Sequence, residues 1–216
     1  MKTLAYLPIS QHVDPNNPTM THGEERVRQY LDGFSKFFEY PGLQKFDVLV
    51  TDNTITEDRP LDIRLQNLIS SHECKIVLCD NNQGKQNKGA GVLAQWRYCR
   101  DIILEYDWII HFEPRQLLLN FDFFDSFFEN PRNLFYLSTA GVSCGRRHHV
   151  VPCFLTGLFA VSSSILIDFA DNNSLGSGQS IEYVLYDYIK DKCGFDTVEK
   201  LNLAWNDAFQ NVWREM

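Results

Sequence analysis

The segment Cys74-Lys-Ile-Val-Leu-Cys-Asp-Asn-Asn-Gln-Gly-Lys-Gln-Asn-Lys-Gly-Ala-Gly91 begins with an apolar run and ends in a polar, glycine-rich loop. A helical pattern follows as far as Tyr106, and then comes a second segment, Asp107-Trp-Ile-Ile-His-Phe-Glu-Pro-Arg-Gln116. Short continuous apolar runs of this kind are typical of strands that are buried on both faces of a sheet. We therefore predict two parallel strands joined by a helix, a βαβ unit.

Polar residues follow the predicted strands at the points where ligands bind in sheets of this kind. Asn82 lies shortly after the first strand, and Glu113 directly follows the second. A further apolar run over residues 46–50 predicts another strand, with Asp52 and Asn53 beyond it. Because ligands bind beyond the carboxyl ends of parallel strands, we expect these side chains to form one site.

Strand-like and helical patterns alternate along the rest of the chain. Further strands are predicted over residues 4–9, 134–139 and 154–161, the last broken at Gly157, and helices over residues 21–40, 61–69, 163–170, 179–192 and 201–212. Thr21 and Glu24 have the spacing of a capping box at the start of the first of these helices. The alternation predicts an α/β fold with a mostly parallel central sheet and helices on both faces.

Length and charge exclude several classes of protein. A chain of 216 residues is long enough to bury its core as one domain. Its 20 lysine and arginine residues are outnumbered by 28 aspartate and glutamate residues, which gives a formal charge of -8. This balance argues against non-specific binding to nucleic acid or to anionic membranes, although it permits a small basic site.

Cysteine usage and hydropathy predict the compartment. The six cysteines are scattered and form no C-x-x-C pair, which is typical of reduced thiols. No apolar stretch reaches 18 residues, and the apolar run before Pro8 is too short for a signal peptide. We expect a cytoplasmic protein without an integral membrane segment.

The order of the motifs resembles that of the nucleotide-sugar glycosyltransferases of the GT-A fold, especially the broad inverting family that builds bacterial polysaccharides. The similarity runs from about Phe46 to Tyr188 and depends on the order of the motifs. The motifs that carry it are Asp52-Asn53 after one strand, Asn82-Gln-Gly84 and Asn87-Lys88-Gly89 after the next, Glu113-Pro114-Arg115 in the place of an Asp-x-Asp motif, and Thr156-Gly157-Leu-Phe-Ala-Val161.

The resemblance implies a single domain over residues 1–216 that binds a nucleoside-diphosphate sugar and transfers the sugar, with inversion, to a saccharide or another hydroxyl acceptor. Residues 1–116 would bind the nucleotide, and residues 117–216 would form the acceptor side. The residues implied in donor binding are Asp52, Asn53, Asn82, Gly84, Lys88, Glu113 and Arg115.

The resemblance also implies a general base. Glu182 lies early in a predicted helix, where a carboxylate would remove the proton from the acceptor hydroxyl. Asp187 is the alternative one turn further on. Glu182 is equally typical of a first helical turn, where the helix dipole favours a negative charge. Asp52 and Asn53 likewise have a structural interpretation as an ordinary turn after a strand.

The Glu113-Pro114-Arg115 motif departs from the family pattern. An Asp-x-Asp motif would bind a divalent cation, Mn²⁺ or Mg²⁺, through carboxylate oxygens. Here only Glu113 remains as a metal ligand, and the guanidinium of Arg115 opposes a cation. Two interpretations stay open: Arg115 itself neutralises the diphosphate, or the domain has lost its activity and serves as a binding module.

The glycine-rich loop permits a second enzyme class. It is not a P-loop, because no Lys-[Ser/Thr] pair follows Gly89. Residues 89–94 do match the G-x-G-x-x-A fingerprint of dinucleotide-dependent oxidoreductases, with Glu113 ending the next strand. That function would require Gly89 at the tip of a tight turn between strand and helix.

Two further segments have a functional and a structural interpretation. Residues 144–153 contain basic, histidine and cysteine residues; their crowding argues against zinc, and they are either a phosphate-binding loop or a solvated one. The phenylalanine-rich residues 121–128 predict a core helix packed on the sheet. A dimer face or a surface for a lipid-linked acceptor is the alternative for this segment.

Overall fold

The computed structural model describes residues 1–13, 21–79, 84, 87–139, 143–144, 147–148, 152–207 and 212–215. The strands are β1 (Thr3–Ile9), β2 (Asp47–Asp52), β3 (Lys75–Leu78), β4 (Trp108–Phe112), β5 (Leu117–Leu118), β6 (Leu134–Ser138), β7 (Ser143–Cys144), β8 (Arg147–His148), β9 (Cys153–Phe154), β10 (Leu158–Ser162), β11 (Asp196–Val198), β12 (Leu203–Asp207) and β13 (Val212–Glu215). The α-helices are α1 (Gly23–Phe38), α2 (Ile63–Ser70), α3 (Lys88–Tyr98), α4 (Arg100–Ile103), α5 (Asp122–Glu129), α6 (Ser163–Asn172) and α7 (Ile181–Lys192), and a short 3-10 helix spans Leu43–Lys45.

The central sheet is mixed and mostly parallel, as predicted. Its strands lie in the order β11-β6-β10-β4-β1-β2-β3, and β9 pairs with β6. The strands β3, β2, β1 and β4 are parallel to one another, whereas β10 runs antiparallel to β4 and to β6. The predicted βαβ unit is therefore present, but β1 and β2 lie between its two strands.

The two faces of the sheet support separate hydrophobic clusters because successive strand residues point in opposite directions. In β1, Ala5 and Leu7 belong to one cluster, and Leu4 and Tyr6 belong to the other. Side chains of α1, α2 and α5 complete the first cluster, and side chains of α3, α6 and α7 complete the second. This arrangement confirms the prediction of helices on both faces.

The phenylalanine-rich segment forms part of the core, as expected. Phe123, Phe124 and Phe127 of α5 are buried in the first cluster. The ring of Phe124 lies 6.0 Å from that of Phe37 in α1, in an edge-on arrangement.

The predicted final helix is wrong. The segment instead forms the strands β11, β12 and β13. β12 pairs antiparallel with β5, with Leu203 opposite Leu118, and both side chains are buried. The apolar spacing in a short segment suits a helix and a hairpin alike, so pairing with a distant strand decided the outcome. Ala208 and Phe209, which the helical pattern included, lie outside the described residues.

The predicted capping box is also wrong, although the helix is present. Helix α1 begins at Gly23, and its N-cap residue His22 makes no side-chain capping hydrogen bond. Thr21 Oγ1 instead donates to Gln29 Oε1 at 2.8 Å, and Glu24 pairs with Arg64 at 2.7 Å. Both side chains therefore bond to other residues and do not cap the helix.

In the part of the chain that the structure describes, no helix combines the length and the apolar character needed to cross a lipid bilayer.

Candidate functional site

The sheet brings three strand ends and one strand start to the same edge. β1 lies between β2 and β4, and all three run in the same direction. β10 runs the opposite way, so its first residue, Leu158, pairs with the last residue of β4, Phe112. The amide of Glu113 donates to the carbonyl of Gly157 at 2.9 Å. The predicted residues Asp52, Glu113 and Gly157 therefore lie along one edge.

Asp52 organises the backbone at this edge. Its side chain is only 1% exposed, and Oδ2 accepts a hydrogen bond of 2.9 Å from the amide of Gln11, after β1. Its Oδ1 accepts from the amide and hydroxyl groups of Thr54 and, at 3.2 Å, from the amide of Ile55. Burial raises the pKa of Asp52, and these hydrogen bonds oppose the rise. Both carboxylate oxygens are thus engaged in joining the ends of β1 and β2.

Asn53 and Gly84 lie beside the first turns of α3. Asn53 is buried, and its amide nitrogen donates to the carbonyl of Gly91 at 3.5 Å. A Cβ atom on Gly91 would lie 2.8 Å from the Cα of Gly84, so only glycine allows this close approach. The structure brings these two predicted residues together. Asn82, the remaining predicted residue of the loop, lies outside the described residues.

The start of α3 is fixed by Asn87. Its Oδ1 caps the helix by accepting from the amides of Gly89 and Ala90 at 2.9 and 3.3 Å. Its Nδ2 donates to the carbonyls of Gly176 and Gln179 at 2.7 and 2.9 Å. One asparagine therefore joins the helix that begins with Lys88 to the loop that precedes α7.

Glu113 and Arg115 form an ion pair in the turn after β4. Arg115 Nη2 lies 3.6 Å from Glu113 Oε2, and both side chains are partly buried. Helix α1 packs directly on this turn, because a Cβ atom on Gly33 would lie 1.8 Å from the carbonyl oxygen of Pro114. The missing side chain of Gly33 allows the turn to lie where it does.

Glu182 lies at the same edge, near the start of β10. Its Oε1 accepts from the hydroxyl group of Thr156 at 3.5 Å, and its Oε2 accepts from that of Ser180. Thr156 immediately precedes Gly157, whose carbonyl binds the Glu113 amide. The structure thus brings Glu182 close to the turn after β4. Asp187, the alternative base, is exposed and pairs with Lys190 at 2.6 Å.

Arg26 is a residue of the site that the sequence analysis missed. It lies on α1, is 3% exposed, and donates through Nε to the carbonyl of Ser10 at 2.5 Å. Ser10 is the first residue after β1. Arg26 lies four residues before the buried Tyr30, so a charged residue on the apolar helical face was the signal that could have revealed it.

Electrostatic interactions link these charged groups. Burial raises the pKa of Glu113; Arg115, Lys88 and Arg26 oppose the rise, whereas Glu182 adds to it. Partial removal from water lowers the pKa of Lys88, and the positive charge of Arg115 lowers it further. Among the described residues, Arg26, Lys88 and Arg115 therefore interact with the carboxylates of Glu113 and Glu182, although the whole chain is acidic.

The charges around Glu113 disfavour a divalent cation. Within the described ranges, no group of three potential ligands from histidine, cysteine, aspartate and glutamate is present. Glu113, the predicted metal ligand, lies beside positive groups that repel a cation.

The geometry required for a dinucleotide fingerprint is also missing. β3 ends at Leu78 and α3 begins at Lys88, so no tight turn connects them. Gly89 lies in the first turn of α3, where a Cβ atom would lie 2.6 Å from Leu175 Cδ1. Its absent side chain allows packing against the segment before α7, which is a different role from contact with a pyrophosphate.

The basic loop predicted over residues 144–153 is largely outside the described residues. Only the backbone pairing of β7 with β8 and the start of the segment that leads into β10 are described.

Solved structures share this fold. A cytidylyltransferase from Leptospira borgpetersenii serovar Hardjo-bovis (strain JB197) is 10% identical, with a TM-score of 0.54 over 100% of this chain and 82% of that chain. A candidate nucleotide-diphospho-sugar transferase from Desulfovibrio desulfuricans G20 is 8% identical, with a TM-score of 0.54 over 92% and 80% of the two chains. A mannosyltransferase from Pyrobaculum calidifontis, in complex with GDP-Man and Mn²⁺, is 12% identical, with a TM-score of 0.54 over 91% of this chain and 54% of that one.

No family model matches the sequence, and the search of curated proteins gives no match. At such low identities the structural similarity shows a shared fold and leaves the activity to be argued from the site. The chain has the α/β fold of nucleotide-diphospho-sugar transferases, with a mostly parallel mixed sheet between helices.

Proposed function

We propose that the protein is a transferase that binds a nucleoside-diphosphate sugar and transfers the sugar to a hydroxyl group of an acceptor, with inversion at the anomeric carbon. Residues 1–116 supply most of the donor site, and residues 117–216 supply the acceptor side.

The observation that carries the proposal is the meeting of Lys88, Glu113, Arg115 and Glu182 at one edge of the sheet. These residues come from three separate segments, and the charges of Lys88, Arg115 and Glu182 all influence the pKa of Glu113. Crevices at the carboxyl ends of the strands are the usual ligand sites of open α/β sheets. The fold shared with nucleotide-dependent transferases supports a nucleotide sugar as the ligand of this charged site.

Glu182 acts as the general base in this mechanism. It accepts the proton of the acceptor hydroxyl as the oxygen forms a bond to the anomeric carbon. The bond from that carbon to the diphosphate breaks at the same time, and its electron pair leaves with the nucleoside diphosphate. Hydrogen bonds from Thr156 and Ser180 orient the carboxylate.

Arg115 and Lys88 stabilise the leaving group. The negative charge on the diphosphate increases as the bond breaks, and cations fixed beside it lower the energy of the transition state. The positive charges beside Glu113 disfavour a metal ion there, so the mechanism assigns no step to one.

The first test is a thermal-shift screen against nucleoside diphosphates, nucleotide sugars and nicotinamide dinucleotides, each with Mn²⁺ and with EDTA. A ligand of the native state raises its stability by mass action. We expect a shift with one class of nucleoside diphosphate. A shift only with a nicotinamide dinucleotide would contradict the proposal and favour an oxidoreductase.

The second test separates an active transferase from a binding module. With the nucleotide sugar that the screen identifies, Glu182→Gln should lower turnover by about 100-fold or more, as expected for loss of a general base, while donor affinity is kept. Asp191→Asn, an exposed change on the same helix, is the matched control and should leave turnover unchanged. Equal turnover of the Glu182→Gln variant and the wild type would reject Glu182 as the base. Donor binding without any turnover of the wild type would identify a binding module.

A further inference from the structure

We propose that Arg26 is the buried cation of the donor site and that it binds the diphosphate directly, together with Arg115 and Lys88. The ligand chemistry is a pair of linked phosphoryl groups, neutralised by side chains rather than by a divalent cation. The inference rests on the proposed function and adds to it a residue on an element, α1, that neither the motifs nor the resemblance indicated.

The first observation is the burial of an unneutralised charge. Arg26 is 3% exposed, and its hydrogen bonds go to the carbonyls of Ser10 and Thr21 and to the hydroxyl of Tyr30, at 2.5, 3.4 and 3.4 Å. All three acceptors are neutral. Among the described residues, no carboxylate lies within the 4.0 Å of an ion pair with Arg26. The charge of Glu113 acts on Arg26 only from further away. A buried charge without a directly paired counter-charge is costly, so its retention at a strand end points to an anionic ligand.

The second observation is the position of the guanidinium group. Ser10, which accepts from Arg26, also donates from its hydroxyl group to Asn53 Oδ1 at 3.4 Å. β1 lies between β2, which ends beside Asn53, and β4, whose end carries Arg115. The topology therefore places Arg26 between the predicted nucleotide side of the site and the predicted diphosphate side.

The third observation is the accumulation of like charges. Burial lowers the pKa of Arg26 and the positive charge of Arg115 lowers it further, whereas Tyr30 and Glu113 oppose the shift. Lys88 is affected in the same way by Arg115 and Arg26. Glu113 compensates only in part, since it already pairs with Arg115 at 3.6 Å. An anion with two or more negative charges would relieve this repulsion.

Arg26 still has N–H groups available to bind such a ligand. A guanidinium group carries five N–H donors, and Arg26 makes three hydrogen bonds in the structure. Its planar fork is suited to bidentate contact with phosphoryl oxygens, which a lysine cannot make.

The test measures the affinity for inorganic pyrophosphate by calorimetry in the presence of EDTA, so that no base, sugar or metal contributes. We expect the wild type to bind and Arg26→Gln to bind roughly tenfold to a hundredfold more weakly, the loss typical of a hydrogen bond to a charged group. Arg28→Gln is the matched control: Arg28 lies on the same helix but is exposed and pairs with Glu25 at 2.8 Å. This control should bind as the wild type does.

Two further variants keep the test decisive if Arg26→Gln does not fold. Arg26→Lys retains the charge but not the fork and should bind with intermediate affinity, and Arg115→Gln, at a partly exposed position, should weaken binding as well. Failure of the wild type to bind pyrophosphate in EDTA, or equal binding by the wild type and the foldable Arg26 variants, would overturn the inference.

The outcomes also separate this inference from the proposed function. Arg26-dependent binding of pyrophosphate without binding of any nucleotide sugar would support the anion site and reject the transferase. Binding of a nucleotide sugar with an affinity that the Arg26 variants do not change would reject the role of Arg26 and leave the transferase standing.

Discussion

His111 shows how a single buried residue adds pH dependence to this fold. It lies in β4, 1% exposed, with its ring stacked on that of Phe159 at 4.7 Å and on that of Tyr6 at 5.9 Å. Its Nδ1 is buried without a hydrogen-bond partner among the described residues. Burial lowers the pKa of His111 from 6.5 to about 3, because the charged imidazolium cannot be solvated there. The residue is therefore neutral in the native state.

A test of this assignment is the change of His111 to Phe, which keeps the ring stacking and removes the titration. The folded pKa lies below the unfolded one, so between pH 6.5 and 3 the unfolded state binds a proton that the native state does not. Stability is thus lost as pH falls through this window, by up to about 1.4 kcal/mol per pH unit. We expect denaturant unfolding to show that the unfolding free energy falls less steeply with decreasing pH for His111→Phe than for the wild type. Parallel profiles of unfolding free energy against pH would contradict the assignment of His111 as a neutral, buried residue.

At the scale of elements, the contact between α1 and the turn after β4 positions the candidate site. Gly33 is the point of closest approach, and Pro114 lies directly against it. Because α1 carries Arg26 and the turn carries Glu113 and Arg115, this contact sets the distance between the charged groups. Asn87 acts similarly where α3 meets the loop before α7.

Replacement of Gly33 by alanine tests the importance of that contact. Gly→Ala inside a helix normally stabilises a protein by about 0.5–1 kcal/mol. Here the new Cβ would lie 1.8 Å from the Pro114 carbonyl oxygen, so we expect a loss of about 1–3 kcal/mol in unfolding free energy instead. Pyrophosphate binding should weaken as well, because the turn must move. Gly194→Ala, where a Cβ would meet nothing within 4 Å, is the control. Stabilisation by Gly33→Ala would show that the close contact is absent.

At the scale of the whole molecule, one sheet serves both proposed halves of the site. β10 and β6, from the acceptor side, extend the sheet beyond β4, from the nucleotide side. Residues Leu158–Ser162 pair along the full length of β4, and Phe159, Ala160 and Val161 are buried. The two parts are therefore joined through one continuous sheet and its buried side chains.

Because one sheet joins the two parts of the chain, we expect that neither part folds fully without the other. A fragment of residues 1–116 should lack cooperative thermal unfolding, because β4 loses its neighbour β10 and part of its buried apolar surface. Mixing with a fragment of residues 117–216 should restore part of the transition and of the pyrophosphate binding. Cooperative unfolding of the first fragment alone, with binding like that of the full chain, would mean that the halves are separate domains.

The sequence by itself determined the α/β class, most strand and helix positions and the polar residues that follow the strands. Those features follow from local patterns: apolar runs at residues 76–78 and 108–110, the helical face of residues 27–38, and the break at Gly157. Only the tertiary structure decided that β1 and β2 lie between β3 and β4, that residues 203–207 and 212–215 form strands, and that Arg26 lies near Glu113 and Arg115. Each of these depends on pairing or packing between segments far apart in the chain. Local periodicity does not encode such contacts, because the same apolar spacing is satisfied by more than one partner.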